Sequence, residues 1–145
     1  MSELPSDERA RWREQRRQAA ADRAGVHERA LERETARARE LLAEFVAELR
    51  RRGVPPVELR ATDGGARYRT GLRGWYLKQD GTLGVTCEGG YYVLAVPRSL
   101  RARLTGVRLL PADPPLQVGR GARDGESVEL AELLRKRLAE HAPPG

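Results

Sequence analysis

The chain has 145 residues, with 27 Lys and Arg against 21 Asp and Glu, for a formal charge of +6. A single cysteine excludes an intramolecular disulfide and any cysteine-based metal site, and no apolar run approaches the ~20 residues needed to cross a bilayer. The length suits one domain with an extension, and a domain of this size buries ~70% of its unfolded surface without a covalent or metal staple. The opening MSELPSDERARW lacks the basic-then-apolar order of a secretory signal, so a cytoplasmic location is expected. The positive charge is carried almost wholly by Arg, Lys78 and Lys136 being the only lysines. Two explanations compete for it. A basic balance attracts nucleic acid or an anionic surface; a genome rich in G and C also favours Arg, Ala, Gly and Pro, and much of the Arg here alternates with Glu.

Ser6 to Arg52 reads as one long helix rich in Ala, Arg and Glu. Ser6 suits an N-cap, with Asp7 and Glu8 where the helix dipole favours negative charge. Gly53, Pro55 and Pro56 then stop it. At 1.5 Å per residue such a helix extends roughly 70 Å, far beyond what a small sheet covers. From Leu31 a stripe of Leu31, Thr35, Ala38, Leu42, Phe45 and Leu49 repeats every four and three residues, suiting a sheet contact or a coiled-coil seam. Before it, apolar residues other than Ala are scarce, so residues 1–30 read as a charged helical extension and 31–141 as the folded domain. The extension reads first as a solvated, partly frayed helix; the alternative is a partner-binding arm with Trp12 and Val26 as its candidate residues, because a large exposed aromatic amid charge often anchors a contact.

Val57, Leu59 and Ala61 alternate with charge as an edge strand should, a turn follows at Thr62–Ala66, and Tyr68, Thr70 and Leu72 return as a second strand. RGWYLKQDGTLGVTCEGGYYVLAVP, residues 73–97, then reads as two hairpins with Asp80-Gly81 and Gly89-Gly90 as two-residue loops. That register places Trp75 opposite Thr86, and Tyr76 opposite Val85, which faces Leu94. One face would carry Tyr76, Leu83, Val85, Cys87, Tyr92, Leu94 and Val96; the other would carry Trp75, Leu77, Gly84, Thr86, Tyr91, Val93 and Ala95. Cys87 is expected as a small buried hydrophobe. Trp75 is expected beneath Leu42, Phe45 or Leu49, its indole N–H bonded at the sheet edge.

Ser99–Leu104 reads as a helical turn, Val107–Leu110 as a short strand, and Pro114-Pro115 as a stiff connector. The glycine-rich loop Gly119–Gly125 leads into a final helix with Leu130, Leu133, Leu134 and Leu138 on one side, and residues 142–145 into a disordered tail. The expected fold is therefore α+β: an antiparallel sheet of about five strands, with the long N-terminal helix on one face and the C-terminal helix closing the other.

RGWYL, the following DG, YYVL and then PPLQVGRGARDGES resemble a family of small uncharacterised proteins from actinobacteria, over roughly residues 35–140. The resemblance implies no activity, ligand or functional residue.

Catalysis finds little support. His27 lies in the charged helix and His141 near the end, and no G-x-S-x-G, H-E-x-x-H or Walker glycine-lysine pair occurs. The chain is expected to be no enzyme, with no cofactor, no metal and no membrane attachment. The Gly119–Gly125 loop has neither P-loop nor dinucleotide spacing and reads as structural. Two functional classes stay open. One is an interaction module that offers the N-terminal helix to a protein partner or to a second copy in a homo-oligomer. The other is a nucleic-acid binder whose anion contacts are Arg98, Arg101, Arg103, Arg108, Arg120 and Arg123.

Overall fold

A computed structural model describes residues 6–119 and 127–141. By its backbone contacts the chain divides into two units, Met1–Glu34 and Thr35–Gly145. In the first, Ser6 opens α1 (Ser6–Arg51), with Asp7 and Glu8 in its first turn. No residue between Ser6 and Glu34 is buried.

The second unit has the expected α+β architecture. The last turns of α1 lead to β1 (Val57–Thr62), β2 (Arg67–Tyr76), β3 (Leu83–Thr86) and β4 (Tyr91–Val93), which form one antiparallel sheet in sequence order. α2 (Leu100–Thr105) follows, then a small two-stranded sheet of β5 (Gln117–Val118) and β6 (Val128–Glu129), and finally α3 (Leu130–Glu140). Thr62 N–H donates to the Leu94 carbonyl at 2.8 Å and Val96 N–H to that of Thr62 at 2.9 Å, so the far end of β1 is bonded to the chain beyond β4. The sheet thus curls upon itself, and an edge that would otherwise invite another strand is partly satisfied.

The hairpin register differs from the expected one. Trp75 pairs with Val85, Tyr76 with Gly84, and Val85 with Tyr91. The cause is loop length. A two-residue type I′ loop needs positive φ at both central residues, and no residue other than Gly has positive φ among those described. Asp80 instead accepts bonds from Thr82 N–H (3.0 Å) and hydroxyl (2.7 Å), and only Gly81 turns left-handed (φ 76°). The first loop therefore spans residues 78–82, closed by Leu77 N–H to the Leu83 carbonyl at 2.9 Å. The second spans 87–89, with Gly89 at φ 87° and Thr86 N–H bonded to the Gly90 carbonyl.

This register moves Leu83 and Val85 to the side of Trp75, Leu77 and Tyr91, so the bulkier apolar residues share one face. They form a single core with Ala38, Leu42, Phe45, Val46 and Leu49 of α1, and with Leu130 and Leu134 of α3. α3 thus lies on the same face as α1 rather than closing the opposite one. Cys87 is half-buried and packs against this core. The second face is lined by Leu59, Ala61, Tyr68 and Leu94. Gly84 leaves room there: a Cβ at that position would stand 3.1 Å from Leu94 Cδ1 and 3.2 Å from Leu59 Cδ1. Ala102 of α2, with Val96, Val107 and Leu109, covers the Ala61–Tyr68 part of that face. The expected strand at Val107–Leu110 is extended chain outside the sheet, tied by one bond from Val107 N–H to the Arg69 carbonyl at 2.7 Å.

Candidate functional site

In the first unit, Trp12 is 56% exposed and Val26 57%. Trp12 and Val26 stand fourteen residues apart with Ala19 midway, so the three recur at the heptad interval and share one side of the helix. The Arg16 guanidinium lies over the Trp12 ring, 4.5 Å from its centroid. Such a cation–π contact at an exposed site contributes about 0.5–1 kcal/mol and holds the ring against the helix surface. His27 is exposed in the same stretch.

Arg98, Arg101, Arg103 and Arg108 all fall in the segment that covers the second face of the sheet, and all four are exposed. That segment is firmly positioned. Ser99 caps α2, its hydroxyl accepting from Ala102 N–H at 3.1 Å. Ser99 N–H in turn donates to the Tyr68 hydroxyl at 3.2 Å, and that hydroxyl donates to Asp63 Oδ2 at 2.5 Å. Asp63 also receives the N–H groups of Gly65 and Ala66 on Oδ1. The Tyr68 hydroxyl above all, then these two amides, lowers its carboxyl to about 2, with the charge of Arg98 assisting. Arg98 and Arg101 line one open cleft of about 510 Å³, whereas Arg103 and Arg108 are outside its lining. Arg120 and Arg123, with most of the glycine-rich loop, lie outside the described residues, as do residues 142–145.

The sequence reading missed the leucines of this region. Leu100 is 71% exposed, Leu104 81% and Leu110 83%, among guanidinium groups. In a short amphipathic turn only one position needs to face inward, and here that position is Ala102. It also missed a second basic cluster, in which Arg60 of β1, Arg67 of β2 and Arg137 of α3 line one cavity together with His141. Among the described residues no group of three His, Cys, Asp or Glu side chains is placed to hold a metal, and no helix is long and apolar enough to cross a membrane.

Comparison with known proteins adds no neighbour: no family model matches the chain, no curated protein matches it, and no solved structure matches it.

Proposed function

We propose that the protein is a non-catalytic interaction module that presents the N-terminal part of α1 to another helix, in a second copy of the chain or in a protein partner. One observation carries the reading: from Ser6 to Glu34 no residue is buried, yet this stretch holds Trp12, Val26 and Leu31, all largely exposed. Most helical stability in proteins comes from packing an apolar face, and an apolar stripe at heptad spacing is the form in which helices pair. Trp is also enriched among the residues that dominate binding energy.

Light scattering on the full chain and on a deletion of residues 1–30 tests self-association. Twice the chain mass for the full protein and a single chain for the deletion is the expected result. A single chain in both removes the self-association form. Co-purification from the native cell then tests the form with a different partner: a nuclease-resistant partner lost on deletion supports it, and identical recovery with both chains overturns it.

A second reading, nucleic-acid binding, draws on the four exposed arginines between Arg98 and Arg108. It predicts a co-purifying species that nuclease removes, with affinity falling steeply as salt rises.

A further inference from the structure

The geometry points to a phosphate-binding cleft between β1, β2 and α3, shaped for a small phosphomonoester with an apolar body about the size of a nucleoside monophosphate. The cavity measures about 340 Å³, near the lower end of the ~300–1,000 Å³ typical of small-ligand sites. Arg60, Arg67, Arg137 and His141 line it, and Glu58 is the only acid among the lining residues. Arg137 is already engaged: its Nε donates to the Tyr76 carbonyl at 2.9 Å and its Nη1 pairs with Glu140. The other two arginines differ. Arg60 and Arg67 are both solvent-exposed, neither side chain has a hydrogen-bond or ion-pair partner among the described residues, and Arg67 Nη2 stands 3.8 Å from where a Cβ at Gly81 would be.

The backbone brings these charges together at some cost. The β1–β2 ladder shifts register between Leu59 and Arg60, and Gly71 takes φ 76° in the strand opposite. After the shift Arg60 faces Arg69, which lies outside the cavity lining, directly across the ladder, and like charges in that position are destabilising. A bound dianion offsets this repulsion, and planar guanidinium forks match phosphate oxygens two at a time. Val54, Pro55 and Val57 form an apolar wall beside the charges, and Trp75 and Tyr76 also line the cavity. The neighbouring cavity around Lys78, Lys136 and Arg137 lacks this excess, since Asp80 and Glu140 line it too.

Trp75 supplies the reporter. Its indole N–H donates to the Val54 carbonyl at 3.3 Å, at the cavity wall, whereas Trp12 lies in the other unit. The chain has two tryptophans, so two indole N–H signals are followed by NMR in full-length protein, Trp12→Phe assigning them. Adenosine 5′-monophosphate and inorganic phosphate are titrated separately. A saturable shift of the Trp75 signal by both, tighter for the nucleotide, with the Trp12 signal unmoved, is expected. Arg60→Ala and Arg67→Ala should each weaken binding roughly ten- to a hundredfold, the usual effect of losing a hydrogen bond to a charged group. Arg11→Ala, the same loss of charge in the other unit, should leave the affinity unchanged. No movement of the Trp75 signal up to millimolar ligand overturns the inference. So does an Arg11→Ala effect as large as that of Arg60→Ala, which would mean non-specific attraction.

Discussion

Truncating Trp75 to Ala tests whether the sheet face under α1 is a closed core. Trp75 is 4% exposed and shares its cluster with Leu42, Phe45, Leu49, Val85 and Tyr91. A large aromatic buries about 150–250 Å², which at about 25 cal/mol per Å² corresponds to roughly 4–6 kcal/mol of transfer free energy. That is an upper figure, because Ala retains part of the area and the unfolded chain already hides some. A loss of ~3–5 kcal/mol follows, in line with large-to-small changes in other cores. The lost indole bond adds little, since the Val54 carbonyl borders an open cavity and can be hydrated. Each kcal/mol moves the melting temperature by about 4 °C or more in a domain of this size, so a drop beyond ~10 °C is expected by calorimetry. Trp75→Phe, which keeps a ring, should lose far less. If Trp75→Ala melts within a degree or two of the wild type, the face is open and the core assignment is wrong. Trp75 would then be available for stacking on a base, and the nucleic-acid reading would take precedence.

Two further predictions concern the sheet and its turn. At Gly74 an added Cβ would run into the Val85 carbonyl, with Thr86 Cα 2.7 Å away; both are backbone, so Gly74→Ala must displace β3 and should cost about 3 kcal/mol, the upper end for overpacked positions, read from urea melts. Asp63 has a folded value of about 2 against 3.8 for a free carboxyl, so its ionised form favours the folded state; that stability is present above pH ~4 and is lost as pH falls towards 2. Asp63→Asn should therefore flatten the decline of melting temperature between pH 4 and 2, and an unchanged slope would show that the Tyr68 and amide bonds do not hold the charged carboxylate.

Local rules make much of the architecture legible in the amino-acid order. The stripe from Leu31 to Leu49 has the helical period, and its members Ala38, Leu42, Phe45 and Leu49 are buried. The alternation around Leu59, Tyr68 and Val85 has the strand period, and each of these is buried. The faces are not legible in the same way, because they depend on whether a hairpin loop has an even or odd number of residues. Asp80-Gly81 permits either a type I′ turn with positive φ at Asp80 or a longer loop in which the Asp80 carboxylate bonds Thr82. Only the second leaves Asp80 in an ordinary conformation, and it reverses the side on which Leu83 and Val85 point. The position of α3 is hidden for a related reason. Its leucines announce one apolar side, but which sheet face they meet depends on the path of the chain between β4 and α3.

The candidate sites divide along the same line between local and non-local information. An Arg in this chain reads alike wherever it stands, and those with acids three or four residues away can be matched from sequence: Arg37 with Glu40, Arg52 with Glu48, Arg137 with Glu140. Local pairs of this kind contribute little when exposed, as Arg37 and Glu40 are. Arg60 and Arg67 escape that test because what surrounds them is set by the register shift between Leu59 and Arg60 and by the approach of α3. Their significance lies in lining one cavity with Arg137 against a single acid, Glu58, rather than in their number. A surplus of 27 basic over 21 acidic residues is therefore weak evidence for an anionic ligand, whereas three guanidinium groups lining one cavity with a single acid point to a place where such a ligand can be tested. The N-terminal part of α1 is the opposite case. Its exposure is legible in sequence, because between Ser6 and Leu31 it offers only Trp12 and Val26 as large apolar residues for a core.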